Sequence, residues 1–382
     1  MKVCVLGLRG FPRVMGGVEA HCEHLFPILK QFRPNDSFTV IARSGYVAAR
    51  DFEYRGVRIV ALGHAVDRRL ETITNAIYGV LYARFVLHAE LLHVQGIGPA
   101  LIIPLAKALG MRVVTTYHSK NYEHTKWNWL ARIFLRTGEW FAVCLGDRLI
   151  SVSKSLEQDL KRRFPRAAHK IFFIPNGAGH AIHLDDRQPA DEILSKYRLP
   201  TGRYIVSVGR LVPEKALHDL IEAFEPAHLD CKLAIVGEAD HPDDYSTGLR
   251  AHASDRIVFT GFVPRDTAKT LLQHASLFVL PSRNEGLPIA ALEAIAAGTP
   301  VLLSDIEPNR DLGLAPHNYF RVGDVRHLRS KLARDHAAYR VNSDAVLAAY
   351  DWNAIGADTA KVYSSIQETI ARSRSPRAPA TA

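Results

Sequence analysis

Cysteine is scarce: four in 382 residues, Cys4, Cys22, Cys144 and Cys231, with no C-x-x-C pair. That spacing excludes a disulfide-framed scaffold and gives no zinc-site pattern. Cys4 and Cys144 lie in apolar runs and read as small core residues, so a reducing, cytoplasmic setting is expected. No uninterrupted apolar run reaches the ~20 residues needed to span a bilayer. The short run Val3–Gly7 is broken by Gly7, Arg9 and Gly10, unlike a secretory h-region. G-x-G-x-x-G is missing, which weighs against a nicotinamide-dependent oxidoreductase. D-x-D is missing too, and no His/Asp cluster suggests a metal. Asp185-Asp186 and Asp243-Asp244 are adjacent pairs in polar loops, expected as turns or caps. No repeat of 20–50 residues is present.

What is there is ordinary globular material, 47% hydrophobic and 23% charged, with a formal net charge of +9. A basic balance favours anionic partners. Nucleic acid is not expected, since no RNP, KH or zinc-finger pattern accompanies the charge. At this length two domains are the natural expectation.

Short apolar runs recur between helical patterns: Val3–Gly7, Phe38–Ala42, Val57–Leu62, Leu91–Gln95, Arg112–Tyr117, Arg148–Val152 and Ile171–Ile174. Runs apolar throughout are strands buried on both faces, as in parallel sheets. Between the first two, Val18, Cys22, Leu25 and Leu29 form one helical stripe over Val18–Phe32. The rhythm breaks between Gly177 and Gly202, a connection with room for one helix. It restarts at Tyr204–Val208, Lys232–Val236, Ile257–Thr260, Leu277–Leu280 and Pro300–Leu303. The expected fold class is α/β, two doubly wound Rossmann-like domains facing a central cleft at their strand carboxyl ends. The expected boundaries are 1–178 and 200–350, then a helix over 351–371 and a disordered tail over 372–382.

The densest chemistry lies in Glu285-Gly286-Leu287-Pro288-Ile289-Ala290-Ala291-Leu292-Glu293. It follows an apolar strand, so Glu285 falls in a strand-end loop, and Pro288 fits the first turn of the next helix. The amides of Gly286 and Leu287 would lie at that helix N-terminus, where anions bind. On the two glutamates alone, helix-start acidity is as good a reading as ligand binding. Arg210 and Lys215, after the strand Tyr204–Val208, are cations suited to a diphosphate leaving group. Seen alone, they read equally well as solvated basic residues.

Together these residues resemble the retaining glycosyltransferases of family 4, which have the GT-B fold. The resemblance rests on Glu285 and Glu293 in E-x7-E, Ala297-Gly298-Thr299-Pro300-Val301, Ser207-Val208-Gly209-Arg210-Leu211 with Glu214-Lys215, Val236-Gly237-Glu238, Phe259-Thr260-Gly261-Phe262-Val263 and Ile174-Pro175-Asn176-Gly177. It covers nearly the whole chain, with all motifs in family order. One departure is Ala216, where the family usually has glycine.

The resemblance implies transfer of a sugar from a nucleoside-diphosphate sugar to a glycan or lipid-linked acceptor, with retention and without a metal. Arg210 and Lys215 would meet the phosphates, Glu293 the ribose, the Gly261–Val263 backbone the base, and Glu285 the donor sugar with Gly286 and Leu287. A UDP-sugar is favoured as co-substrate, GDP- and dTDP-sugars staying open, and no further cofactor is implied. In the N-terminal domain Gly16 and Gly17 would border donor phosphates and acceptor, and His118 would contact the donor sugar. The last helix would cross back onto the first domain.

The segment Tyr122-Glu123-His124-Thr125-Lys126-Trp127 resembles a bacterial subgroup that includes rhamnosyltransferase-like members, which suggests surface or exopolysaccharide synthesis. Glu123 and Lys126 are second-rank contact candidates. Arg112, Lys126, Trp127, Trp129, Arg132, Arg136, Trp140, Lys161-Arg162-Arg163 and Arg166 combine cations with aromatics. That pairing suits an anionic membrane surface at the inner face of the plasma membrane, and suits solvated helix faces equally well. A sugar-nucleotide epimerase on the same fold is the nearest alternative.

Overall fold

The computed structural model describes residues 1–14, 16–65, 71–123, 128–178, 189–239 and 242–374, the side chains of 370–374 apart. Asp185-Asp186, Lys126, Trp127 and the tail from residue 375 lie outside these. The chain forms two compact units, one of residues 1–122, 129–176 and 352 onward, the other of 123–128 and 177–351.

The first unit holds eight strands: β1 (Lys2–Leu6), β2 (Ser37–Arg43), β3 (Asp51–Tyr54), β4 (Val57–Leu62), β5 (Leu91–Gln95), β6 (Arg112–Tyr117), β7 (Arg148–Ser151) and β8 (Ile171–Phe173). They pair in the order β3-β4-β2-β1-β5-β6-β7-β8. All neighbours are parallel except β3, which pairs antiparallel with β4. Strand β3 carries no apolar run; its residues alternate between exposed and half-buried, as an edge ribbon does. That is why the hydrophobic pattern does not announce it.

Helix α1 (Gly17–Phe32) links β1 to β2, and α2 (Glu71–Phe85) links β4 to β5. Next come α3 (Ile103–Ala108), preceded by the 3₁₀ turn Pro99–Ile102, then α4 (Trp129–Cys144) and α5 (Lys154–Arg163). One core runs from Val3, Val5 and Val40 through Phe26 and Leu29 to Trp352, Ile355 and Tyr363. Cys4 is buried within the sheet, whereas Cys144, at the end of α4, is only half-buried.

The second unit holds a six-stranded sheet, parallel throughout, ordered β11-β10-β9-β12-β13-β14. Its strands are β9 (Tyr204–Val208), β10 (Lys232–Val236), β11 (Ile257–Gly261), β12 (Leu277–Leu280), β13 (Val301–Ser304) and the short β14 (Tyr319–Phe320). Around it lie α6 (Ala190–Lys196), α7 (Leu217–Phe224), α8 (Asp244–Arg250), α9 (Arg265–Gln273), α10 (Ile289–Ala296), α11 (Glu307–Arg310), α12 (Val325–Leu332) and α13 (Ser343–Leu347). Asp243 caps α8 reciprocally with Ser246, so this acidic pair is structural.

The last helix, α14 (Trp352–Arg374), belongs to the first unit and packs against α1. Gly356 permits close approach: a Cβ there would stand 2.5 Å from Ile28 Cγ2. Arg33 donates to Ser364 Oγ and Gln367 Oε1, each at 2.7 Å. Helical backbone thus continues through Arg372–Arg374, where the sequence leads one to expect disorder. No helix among the described residues is long and apolar enough to cross a membrane.

Candidate active site

In the second unit the chemistry gathers at the carboxyl ends of β9, β10 and β12. After β9 the chain turns through Gly209 and Arg210 to a 3₁₀ turn at Pro213–Lys215. The stem of Lys215 lies across Gly209, with Lys215 Cε 3.5 Å from where a Cβ would stand. Its Nζ donates to Glu285 Oε1 at 2.6 Å, and both side chains are largely sheltered. Two residues 70 apart in sequence therefore form one charge pair at neighbouring strand ends. In a sheltered place such a pair holds both groups in fixed geometry.

Ala216 adopts φ 49°, ψ 37°, the left-handed region, and is fully buried. The loop therefore does require positive φ at the position where the family usually has glycine. Alanine meets that requirement at some backbone strain.

A second close approach underlies this loop. Gly237 has φ 128°, and a Cβ on it would stand 2.1 Å from Gly209 O. The V-G-E and V-G-R segments are locked together by Gly209 N donating to Val236 O and Leu211 N donating to Glu238 O. Nothing in the local spacing reveals this contact.

Gly286 and Leu287 are buried just after Glu285. Helix α10 starts one residue later than the sequence suggests: Pro288 has φ −78°, ψ 90° and stands outside the helix as its cap. The amides of Gly286 and Leu287 thus precede the helix and do not belong to its first turn. Glu293, in the second turn of α10, accepts from Arg265 Nη2 at 2.9 Å and Nε at 3.3 Å. Arg265 opens α9 directly after Gly261-Phe262-Val263-Pro264. Val263 is buried while Phe262 is exposed. The sequence reading missed Arg265; its one signal is its position just after the G-F-V-P segment.

In the first unit Gly16 precedes α1 with φ 145°. That φ is one that side-chain-bearing residues rarely adopt, so glycine is favoured there. Buried Glu19 reaches back to accept from Arg9 N at 3.1 Å and Arg9 Nε at 3.2 Å, pinning the loop in front of Gly16 and Gly17.

His118, just past β6, is half-buried, and its Nε2 meets Gln95 Oε1 at 2.9 Å. It stands edge-on to His21, with ring centroids 5.3 Å apart. Burial, helped by His93, lowers its pKa to about 3, so the imidazole is neutral near pH 7. His21 is likewise held well below the usual range, by burial first and then by His118 and His24, against an opposing hydrogen-bond contribution from Asn176. A neutral imidazole can position a hydroxyl but brings no positive charge. Glu123 is exposed at the end of a 3₁₀ turn.

The family model "Glycosyl transferases group 1" matches residues 190–313, and "Glycosyltransferase Family 4" matches residues 15–180. An uncharacterized glycosyltransferase of Methanocaldococcus jannaschii, MJ1607, is 32% identical over 258 residues, 61% of this chain and 64% of its own length. A glycogen synthase of Mycobacterium tuberculosis is 30% identical over 280 residues, 68% of this chain and 65% of its own. The putative teichuronic acid glycosyltransferase TuaC of Bacillus subtilis is 31% identical over 166 residues, 40% of its length. The chain thus spans less than two-thirds of each of these relatives.

Among solved structures, sucrose-phosphate synthase from Thermosynechococcus elongatus superposes with a TM-score of 0.80 at 20% identity, covering 96% of this chain and 99% of that one. Anabaena Alr3699/HepE in complex with UDP and glucose gives 0.73 at 17%, covering 96% and 100%. At such identities the likeness concerns the fold. Two family models in tandem, one on each sheet, make the chain a member of the family 4 glycosyltransferases, and the solved structures show its fold, the GT-B architecture.

Proposed function

We propose that the protein is a glycosyltransferase moving a sugar, with retention, from a nucleoside-diphosphate sugar to a glycan or lipid-linked acceptor. The observation that carries this reading is the Lys215–Glu285 pair at 2.6 Å, beside Arg210 at the same strand ends. It joins a group suited to phosphate with one suited to sugar hydroxyls.

In the proposed reaction the bond between the anomeric carbon and the diphosphate oxygen breaks. The acceptor oxygen bonds to the same face of that carbon, and its proton passes to the departing phosphate. Negative charge grows on the diphosphate as the bond opens. Arg210 and Lys215 stabilise it more in the transition state than in the ground state, and that difference lowers the barrier. Glu285, relieved of part of its lysine contact by the phosphates, accepts from sugar hydroxyls, and Glu293 accepts from the ribose. With two protein cations on the diphosphate, no metal is required. In the other unit Gly16, Gly17 and neutral His118 are the further substrate contacts of this reading.

UDP-glucose is the first donor to try, because the similar Anabaena protein was solved with it. The WbdA mannosyltransferase of Escherichia coli, 28% identical over 210 residues, and TuaC support polysaccharide synthesis, and the setting we propose for it is the inner face of the membrane. A thermal-shift screen of UDP-, GDP-, dTDP- and ADP-sugars tests the donor; a ligand at 100 Kd adds about 2.7 kcal/mol. Turnover must then require an acceptor. Product formed without one would make the protein an epimerase, and stabilisation by no sugar nucleotide would end the donor-site reading.

A further inference from the structure

The exposed face of α2 and α4 is an apolar surface crowned by arginine. On α2, Tyr78, Leu81 and Phe85 point outward, Phe85 being 62% exposed. On α4, Trp129, Ile133, Arg136 and Trp140 recur at helical spacing and are exposed, Trp129 by 73%, and Phe134 beside them is exposed too. The crossovers carrying these helices run in the same direction across the sheet, so right-handed connections put both on one side of it. Both also pack against the turn Pro99–Ile102, which makes them neighbours. Exposed large apolar residues collected in this way mark a contact surface.

Charge identifies the partner. Between residues 72 and 89 there is no acidic residue, and between 129 and 145 only Glu139. Glu139 is buried and neutralised by Arg163, whose Nη1 and Nη2 donate to it at 2.6 and 2.9 Å. Arg84, Arg132 and Arg136 are exposed on the same two helices. By contrast, the basic run on α5 is compensated: Lys161 pairs with Glu157, Arg162 with Asp159, and Arg163 with Glu139.

We infer that the α2–α4 face lies against an anionic lipid bilayer, its aromatics in the headgroup zone and its arginines on lipid phosphates. This rests on the membrane-side setting proposed above and locates the contact on two helices, leaving the α5 cluster out of it.

The test is sedimentation of the full chain with phosphatidylglycerol and phosphatidylcholine vesicles, alongside calorimetric UDP binding. The variants are Phe85→Glu, Phe134→Glu, the pair Arg132→Glu/Arg136→Glu, and Arg326→Glu, an exposed residue of the other unit, as control. Wild type and the control should bind phosphatidylglycerol, weakly to neutral vesicles and less so at high salt. The Phe85 and Phe134 variants and the arginine pair should lose binding by at least roughly tenfold, with UDP affinity unchanged.

Equal vesicle binding by all variants would overturn the inference, as would equal loss in the control or no binding to anionic vesicles. Concentration-dependent dimerisation abolished by the same variants, without vesicle binding, would mean that the face seats a second copy and would also overturn it. Loss of UDP binding in wild type would instead strike the donor-site reading and leave the surface standing.

Discussion

At the residue scale, the two glutamates have different partners and should fail differently. Glu285 is paired with Lys215, and Glu293 with Arg265. With Glu285 on the donor sugar, as proposed, Glu285→Gln takes a charged acceptor from the reacting sugar, so the loss should fall mainly on kcat. With Glu293 on the ribose, as proposed, Glu293→Gln takes an acceptor from a group unchanged between ground and transition state, so donor KM should rise. A hydrogen bond to a charged partner is worth ~1.5–3 kcal/mol, roughly 10- to 150-fold. The Arg265–Glu293 pair is partly solvated, so breaking it costs stability no more than ~1 kcal/mol, and the KM effect is not unfolding. Steady-state kinetics with the identified donor decides; wild-type kcat/KM in both variants would reduce E-x7-E to helix capping.

Ala216 offers a second residue-scale test. Replacing it by glycine relieves left-handed strain of ~1–2 kcal/mol. Against that stand a buried methyl worth ~0.8 kcal/mol and the greater freedom of unfolded glycine at ~0.4–1 kcal/mol. The opposing contributions nearly cancel, so Ala216→Gly should change unfolding free energy by less than ~1 kcal/mol. Ala216→Val, β-branched at positive φ, should lose ~2 kcal/mol or more. Urea unfolding distinguishes them, and a large loss in the glycine variant would show that strain is not stored there.

At the scale of elements, β5, β6 and α14 are tied through one buried histidine. His93 Nδ1 meets Tyr363 Oη at 2.6 Å, and Nε2 meets Thr116 Oγ1 at 2.7 Å. Burial, with His21 adding to it, lowers its pKa to about 3. A histidine whose folded pKa is depressed contributes stability that is complete above its unfolded pKa of ~6.5 and is lost as pH falls toward the folded value. With His21 and His118 shifted the same way, unfolding near pH 5 should take up about two to three protons. The thermal midpoint should therefore fall steadily from pH 6.5 to 4.5. His93→Gln should flatten that slope by about one proton, and an unchanged slope would mean that His93 already titrates normally.

At the scale of the whole molecule, the proposed reading puts two protein cations where a diphosphate would otherwise call for a metal. Donor turnover should accordingly survive excess EDTA. Abolition by chelator, with recovery on adding Mg²⁺ or Mn²⁺, would show that Arg210 and Lys215 do not suffice.

The sequence by itself determined the two α/β sheets, because a strand buried on both faces must be apolar throughout, and that is a local property. It likewise marked Glu285, Glu293, Arg210 and Lys215, whose motifs are contiguous. It did not reveal β3, whose polar residues suit an edge and break no pattern, or the two-residue β14. Nor could it pair Lys215 with Glu285 or Glu293 with Arg265, or press Gly237 onto Gly209. Those contacts join strand ends far apart in sequence, and only the order of strands in the folded sheet brings them together. The basic–aromatic stretch shows the same division: its composition is local, but which arginines face outward and which are spent on carboxylates was decided by packing.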